Sequence, residues 1–427
     1  MNKFAAILMT IVLLPGMVVA QNADWPQWRG PNRDGHAAPQ RLLQQWPDGG
    51  PKLAWSADGL GTGYSAVSVV GDDVFTMGSI DGQSVVVCLS LTDGSVRWQT
   101  AIGRAGQGED YNTGWGDGQR ATPTVDGDQV FVLSDIGTIA ALGKTDGVIA
   151  WQVESVDDLG GSIPNWGYSE SPLVDGERVV VTPGGSNFMV GLDRRTGKKI
   201  WSTQDVDIPA QYVSVIKGRL GKQSFYVTAS EPGVLAFDAD SGKQLFADSA
   251  TGNKVAVIPT PVLSGDLLYH TSAYGAGNTL LKLRETDDGI AADPVYALTS
   301  KTMENHHGGV VLVDGVIYGL TKQARGNWMA QRLESGEVLW RESAGENRSG
   351  SICYADGRLY CYGDADGSVT LIEADPSGWN QRGRLTLPAQ TQIPRKSGAI
   401  WTHPVVANGR LIIRDQDLMY AYEIAAE

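Results

Sequence analysis

The architecture of this 427-residue chain is indicated by one phrase of its sequence, Gly191-Leu192-Asp193-Arg194-Arg195-Thr196-Gly197-Lys198-Lys199-Ile200-Trp201. The ending of the phrase, Gly-x-x-x-Trp, returns at Trp98, Trp151 and Trp340, and Phe246 closes a weaker copy. Consecutive copies up to Phe246 lie 45–53 residues apart, and the gap from Phe246 to Trp340 leaves room for one degenerate copy. A regular period of this length is typical of a repeat protein.

Each repeat contains the strands and turns of one antiparallel sheet. In the second repeat, β-branched and apolar runs cover residues 122–125, 129–133, 138–142 and 148–153, and Gly-containing turns separate them. Such turns accept the positive φ angles of tight hairpins. Four antiparallel strands per repeat are the content of one propeller blade. We predict eight blade starts, near Ser65, Thr122, Ser171, Ser214, Thr260, Gly308, Gly350 and His403.

The last repeat, 403–424, holds only three strands, and its missing strand is predicted at the other end of the propeller. Residues 51–55 end in Trp as the repeats do. The sequence therefore predicts an all-β fold, an eight-bladed β-propeller with four-stranded antiparallel blades. The ring would be closed by pairing of the N-terminal strand with the last blade, which removes open sheet edges. We interpret the repeated indoles as structural wedges between blades, namely Trp55, Trp98, Trp151, Trp201 and Trp340.

Three segments are predicted along the chain. Residues 1–20 are typical of a signal peptide, with Lys3 before an apolar run and small residues before a cleavage site after Ala20. Residues 21–50 form an N-terminal strap that carries the motif Trp25-Pro26-Gln27-Trp28-Arg29-Gly30-Pro31, and residues 51–427 form one propeller. We therefore expect a periplasmic or secreted protein.

The charge of the chain limits its partners. The formal net charge is −14, and no basic run occurs. Nucleic acid and anionic membrane surfaces would be repelled, so neither is expected as a partner. The apolar run near the N-terminus is too short for a membrane span, so we expect no membrane insertion, and we expect a monomer.

The three cysteines leave one alternative open. Cys353 and Cys361 flank a turn at Asp356-Gly357 and could face each other across a hairpin, whereas Cys88 is expected as a core thiol. A shift of one residue in strand register would separate the pair. The sequence is therefore compatible with either a cross-strand disulfide or two buried thiols.

The repeat resembles that of the pyrroloquinoline quinone (PQQ) propellers, and residues 191–201 are its closest copy. This superfamily includes eight-bladed quinoprotein alcohol dehydrogenases and the BamB-type outer-membrane assembly scaffold. The resemblance covers about residues 51–425 and implies the fold rather than one function. The opening segment 24–35, together with 165–172 and 305–309, resembles exported bacterial PQQ-like propeller proteins.

Quinoprotein chemistry is disfavoured by what the chain lacks in sequence. The resemblance to the dehydrogenases would imply an adjacent Cys–Cys pair, carboxylate and amide ligands to a calcium ion, and an Asp base. None of the three cysteines is adjacent to another, and no Cys-x-x-Cys-His motif for haem occurs. PQQ with calcium is therefore possible but disfavoured as a cofactor, and no other cofactor is indicated.

The residues just before each blade start are the candidate ligand site, because the first strand of a blade lines the central channel. Its start lies at the face where members of the superfamily bind ligands. Many of these residues can hydrogen-bond, stack or titrate. The candidates at this channel mouth are Tyr64, Arg120, Tyr168, Glu170, His306, His307, Arg348, Trp401 and His403.

Alternatives remain open for this set. It could form a polar ligand pocket, a metal site from His403, Glu170 and either His306 or His307, or hydrogen bonds between blades. In an extended segment adjacent residues point to opposite faces, so at most one of the two neighbouring histidines should face the channel. In the strap, Arg29 and Arg33 either dock against the ring or bind an acidic ligand.

Two functional hypotheses follow from these observations. The first is an exported binding or scaffold propeller that holds an envelope protein or a small polar ligand on its loops and channel mouth. The alternative is a PQQ-dependent oxidoreductase acting on an alcohol or sugar, with the quinone near Trp115, Trp166 or Trp401 and a cation held by Glu170. The first is favoured because the fold signal is strong and catalytic motifs are missing.

Overall fold

The computed structural model describes residues 23–426, and the predicted signal peptide lies outside these residues. Thirty-two strands form eight four-stranded antiparallel sheets, each in simple up-and-down order. The strands of the first four blades are β2 (Ser68–Val70), β3 (Asp73–Ile80), β4 (Gln83–Ser90), β5 (Val96–Arg104); β6 (Thr124–Asp126), β7 (Gln129–Leu133), β8 (Thr138–Gly143), β9 (Ile149–Glu154); β10 (Leu173–Asp175), β11 (Arg178–Val181), β12 (Val190–Asp193), β13 (Lys199–Ser202); and β14 (Ile216–Leu220), β15 (Gln223–Ser230), β16 (Gly233–Asp238), β17 (Gln244–Asp248).

The remaining blades follow the same order. Their strands are β18 (Val262–Ser264), β19 (Leu267–Ser272), β20 (Gly277–Thr286), β21 (Gly289–Leu298); β22 (Val310–Val313), β23 (Val316–Thr321), β24 (Asn327–Arg332), β25 (Val338–Ser343); β26 (Gly350–Ala355), β27 (Arg358–Gly363), β28 (Ser368–Glu373), β29 (Gln381–Thr386); and β30 (Val405–Ala407), β31 (Arg410–Asp415), β32 (Leu418–Glu423) with β1 (Leu53–Ala57). The helices of the described chain are two single 3₁₀ turns, Thr113–Trp115 and Gln323–Arg325. Among residues 23–426, no helix has the length and apolar content needed to cross a membrane.

The ring is closed as the sequence predicts. Strand β1 pairs antiparallel with β32, and Trp55 lies opposite Ala421. The eighth blade therefore takes three strands from the C-terminal end of the chain and one from the N-terminal end. This arrangement confirms the predicted eight-bladed propeller and leaves no blade with a missing strand.

The repeated Gly-x-x-x-Trp phrase joins each blade to the next. The indole of Trp151 in β9 packs against Gly197 in the next blade, where an added Cβ would lie 2.7 Å from the ring. Gly197 also has φ +71°, a conformation that residues with a side chain rarely adopt. The Nε1 of Trp151 donates a 2.8 Å hydrogen bond to the carbonyl of Arg194, three residues before that glycine. The Gly and the Trp of the phrase are thus the two halves of one contact between neighbouring blades.

Among the five repeated indoles, the same joint recurs with one exception. The indoles of Trp55, Trp98 and Trp340 also each donate a hydrogen bond to a backbone carbonyl of the next blade. That carbonyl lies three residues before the glycine of the phrase or before the glycine at the equivalent position. Trp201 does not, and its buried Nε1 has no hydrogen-bond partner. The equivalent carbonyl there belongs to Ala239 and accepts from the guanidinium of Arg178 instead. This joint leads into the blade that ends in Phe246, where Phe replaces the closing Trp of the phrase.

The cysteines are free and buried. Strands β26 and β27 pair Cys353 with Tyr360 and Ile352 with Cys361, so the two thiols are one position out of register. Register thus decides the alternative that the sequence left open in favour of separate thiols.

The strap, residues 23–50, crosses the end of the channel at which the innermost strands finish. Its first fifteen residues hydrogen-bond with the innermost strand, or residues flanking it, in all eight blades. The bonds join Trp25 to Val69, Pro26 to Val125, Arg33 to Ser171 and Val215, Trp28 to Thr260, His36 to Leu312, Gly35 and Ala37 to Tyr354, and Ala23 to Asn408. The strap therefore seals this end and ties the blades together.

Two buried arginines anchor the strap. Arg29 and Arg33 are each 3% exposed, and their guanidinium groups donate to backbone carbonyls of the ring. Burial lowers the pKa of Arg29 to about 10 and that of Arg33 to about 9. Their enclosure and their bonds to backbone carbonyls favour docking of the strap over the alternative that these arginines bind an acidic ligand.

Candidate functional site

The channel holds a cavity of about 270 Å³ at the end opposite the strap. Its walls come from the loops that precede the innermost strands and from turns that follow the second strand of a blade. These loops and turns meet at one face because blades alternate direction strand by strand. The lining residues are Trp28, Tyr64, Trp115, Arg120, Trp166, Ser169, Tyr212, Val255, Ala256, Ile258, Tyr274, His306, His307, Lys322, Trp401 and His403.

The strap supplies the floor of the cavity. The indole of Trp28 lies edge-on to the imidazole of His403, with ring centroids 4.5 Å apart. Its Nε1 donates a 2.9 Å hydrogen bond to Oγ1 of Thr260, which fixes the ring. The cavity is therefore blind, since the strap closes the channel beneath it.

An aromatic arc with a cation at each end forms one wall. The arc consists of Tyr64, Trp401, His306 and Tyr274, whose neighbouring ring centroids lie 5.3, 5.9 and 5.6 Å apart. The guanidinium of Arg120 lies 5.5 Å from the Tyr64 centroid, and the ammonium of Lys322 lies 5.4 Å from the Tyr274 centroid. Both cations thus lie within cation–π distance of the rings beside them.

Three histidines at the base are held neutral. Burial lowers the pKa of His306 and of His403 to about 3, and it lowers the pKa of His307 well below its usual value. Nearby cations add to this effect, Lys322 for His306 and Arg29 for His403. Neutral imidazoles offer one donor and one acceptor each, so this base is polar without carrying charge.

Six of the nine sequence-predicted candidates line this cavity, namely Tyr64, Arg120, His306, His307, Trp401 and His403. Both neighbouring histidines line it. The expectation that at most one would face the channel was made for an extended segment, and residues 303–309 are not a strand, so strict alternation does not apply.

The other three candidates point elsewhere. Tyr168 is 1% exposed and donates a 2.9 Å hydrogen bond to the carbonyl of Pro183. The carboxylate of Glu170 is buried and accepts from the backbone and hydroxyl of Thr182. Arg348 is exposed at the surface and donates to the carbonyl of Arg325. These side chains serve inter-strand and loop contacts rather than the cavity.

Several lining residues were missed from the sequence. Tyr274 and Lys322 follow the second strands of the fifth and sixth blades, β19 and β23. In an up-and-down blade these turns lie on the same face as the blade starts. The turns after the second strands could therefore have been predicted as part of the site, but a search limited to blade starts omits them. Trp28 had no such signal, since its position depends on the path of the strap.

The cavity does not match the donor set that the quinoprotein resemblance implies. No carboxylate or side-chain amide is among its lining residues. The proposed His–His–Glu metal site also fails, because Glu170 is bonded to Thr182 away from the lining. Across residues 23–426, no cluster of three or more His, Cys, Asp or Glu side chains is placed to hold a metal ion. The residues present therefore do not fit a calcium-bound quinone.

Comparison with known proteins identifies the family. The profile of the family described as outer membrane protein assembly factor BamB matches residues 43–204 and 82–342. The chain belongs to this family. BamB of Yersinia pestis is 23% identical over 333 residues, which are 75% of this chain and 76% of that protein.

Solved structures share the fold at low identity. BamB from Moraxella catarrhalis superposes with a TM-score of 0.59 at 18% identity, covering 85% of this chain and 95% of that one. Quinohemoprotein alcohol dehydrogenase from Comamonas testosteroni gives a TM-score of 0.64 at 13% identity, covering 96% and 81%. These likenesses establish the PQQ-like propeller fold and leave the function to the site.

Proposed function

We propose that this protein is an exported binding propeller of the cell envelope that docks an envelope protein at its cavity-bearing face. The observation that carries the proposal is an apolar rim at the mouth of the cavity. Trp115, Val255 and Tyr274 are 48%, 44% and 40% exposed, and all three line the cavity. Large exposed apolar side chains gathered at one site mark interaction surfaces in monomeric proteins.

Export and a protein partner have separate support. The signal-peptide pattern of residues 1–20 supports export. The family description and the relatives' names, outer membrane protein assembly factor, support an envelope protein as the partner. Fractionation of cells that express the full chain tests export, and we expect a mature protein that begins at Gln21. Retention of residues 1–20 on a cytoplasmic protein would contradict this part of the proposal.

Site-specific photo-crosslinking tests the docking face. A photoreactive phenylalanine analogue replaces Trp115 at the rim or, as a matched control, Asp314 in the exposed turn between β22 and β23. Asp314 lies at the opposite end of β22 from His306 and His307, so it reports on the strap end. We expect light-dependent adducts to a discrete envelope protein from position 115 and not from position 314. Equal labelling at both positions would contradict docking at the rim.

A binding role also predicts that the cavity performs no quinone chemistry. We expect purified protein with PQQ and calcium to reduce no dye acceptor when supplied with alcohols or sugars. Dye reduction that depends on both additions would overturn the proposal in favour of an oxidoreductase.

A further inference from the structure

The cavity differs from the rest of the molecule in charge. The chain has a formal net charge of −14. Its cavity nevertheless is lined by the cations Arg120 and Lys322 and by no Asp or Glu. A concave site lined by one sign of charge concentrates ligands of the opposite sign. An acidic protein that keeps carboxylates out of its cavity is therefore suited to bind an anion there.

The two cations form no ion pair with any carboxylate of residues 23–426. Arg120 donates only to the carbonyls of Gly116 and Gly118 in its own loop, at 2.8 and 2.7 Å, and stacks near tyrosine rings. The nearby acids are engaged elsewhere: Asp117 pairs with Lys396, Glu304 accepts from the backbone of Gly275, and Asp364 accepts from that of Arg348. Both cations thus retain capacity for an external anion.

Two buried nitrogens in the lining also lack partners. Nε1 of Trp166 and Nε2 of His307 are buried and make no hydrogen bond within the described chain. His307 is 7% exposed, and its other nitrogen lies 2.8 Å from the hydroxyl of Ser349. An indole nitrogen can only donate, so its partner must be an acceptor. Buried polar groups normally find partners, so these two nitrogens mark a part of the cavity wall whose hydrogen bonding is incomplete within the described chain.

The walls indicate the shape of the ligand body. The aromatic arc, Trp166 and Ile258 offer apolar and π surfaces that favour stacking with a flat ring. A neutral sugar fits less well, because its many hydroxyl donors need acceptors and the lining has no carboxylate or side-chain amide. The cavity volume of about 270 Å³ matches a small molecule rather than a folded segment.

We propose that the cavity binds a small organic carboxylate with a flat ring, held by Arg120 and Lys322 without a metal ion. The ring contacts the aromatic arc, and the carboxylate oxygens accept from the two cations. This site adjoins the apolar rim, which the proposed protein partner would contact, and Tyr274 belongs to both. The inference goes beyond docking, because its ligand is a small molecule rather than a protein.

Calorimetric titration of the mature protein with 2-naphthoate tests the proposal, and 2-naphthamide is the uncharged twin of the same shape. We expect the acid to bind at least about tenfold more tightly than the amide, since charge-assisted hydrogen bonds are the stronger kind. Arg120→Gln and Lys322→Gln should each weaken binding of the acid about tenfold and leave the amide unchanged. The ammonium of Lys322 makes no hydrogen bond within the described chain, so the Lys322 variant should fold even if the Arg120 loop is disturbed.

Arg348→Gln is the matched control, because Arg348 also precedes a blade start but is exposed outside the cavity. It should leave binding of the acid unchanged. The proposal would be overturned if acid and amide bound with equal affinity or if the acid did not bind at about ten millimolar. It would also be overturned if Arg348→Gln weakened binding of the acid as much as the cavity variants do. Binding of 2-naphthoate that requires calcium would overturn its metal-free form. Crosslinking from position 115 detects a protein partner, whereas the titration detects a small ligand, so failure of one proposal is distinguishable from failure of the other.

Discussion

At the strap end of the channel, Arg29 and Arg33 are almost fully buried, and their guanidinium groups are bonded to carbonyls of the ring. At the cavity end, Arg120 and Lys322 are half-buried and pair with no described carboxylate. The same residue types thus have two roles in one channel. Cations at the sealed end satisfy backbone acceptors and hold the ring, whereas cations at the open end retain unused binding capacity.

The largest expected effect belongs to the sealed end. Arg33→Ala leaves the carbonyls of Ser171 and Val215 without their donor, whereas the carbonyl of Pro172 keeps the hydroxyl of Thr124. Each unsatisfied buried acceptor costs about 1–3 kcal/mol, so we expect the free energy of unfolding to fall by about 2–4 kcal/mol in denaturant titration. Arg195→Ala, which removes an exposed ion pair with Glu177, should cost less than about 0.5 kcal/mol. Similar losses in the two variants would remove the distinction between the ends.

Glu170 provides a pH test of the sealed end. Burial raises the pKa of this carboxyl to about 7, although Thr182 and Arg33 oppose the rise. The folded state therefore keeps a proton that the unfolded state releases, so stability falls as pH rises from about 4.5 to about 7. Glu170→Gln cannot ionise. We expect its free energy of unfolding to improve relative to wild type by about 2 kcal/mol between about pH 5 and pH 8.

The matched control is Glu177→Gln, since this glutamate lies on the surface. Its difference from wild type should be small and constant over the same pH range. A constant difference for Glu170→Gln as well would show that the buried carboxyl does not titrate in this window.

His403 lies at the boundary between the two ends, against Trp28 of the strap and beside His307. Burial and then Arg29 lower its pKa to about 3, so the unfolded state takes up a proton that the folded state refuses. The stability that follows is present above about pH 6.5 and is lost as pH falls toward 3.

In His403→Gln this acid sensitivity is absent. We expect the stability advantage of wild type over the variant to shrink by about 2 kcal/mol between about pH 7.5 and pH 5, as read from denaturant titrations. An advantage that does not change with pH would mean that the imidazole takes up its proton at the same pH in the folded and unfolded states, so that burial does not hold it neutral.

The two ends also differ in how far sequence could predict them. The ring was predictable, because the period of Gly-x-x-x-Trp reflects a local contact between an indole and a glycine of the next blade. Six candidates at blade starts line the cavity because they recur at one topological position. Tyr168 and Glu170 do not, since the direction of a side chain depends on local strand geometry that the pattern does not encode.

The strap shows the limit more clearly. Its motif predicted docking against the ring, but nothing in the residues 23–37 indicates contact with all eight blades. Its role as the cavity floor through Trp28 depends on contacts more than 200 residues distant in sequence, such as that with Thr260. Long-range placement of this kind is set by packing in the whole ring rather than by any local signal.

The smallest expected effect on stability belongs to the rim of the open end. Trp115 is 48% exposed, so Trp115→Ser removes little buried surface and should change the free energy of unfolding by no more than about 0.5 kcal/mol. Val148→Ser is the control, because Val148 is 63% exposed and does not line the cavity. We expect only the Trp115 variant to lose capture of the envelope partner, measured as recovery on immobilised protein. A large stability loss at Trp115 would make the rim part of the fold, and the contrast between a structural end and a binding end would then fail.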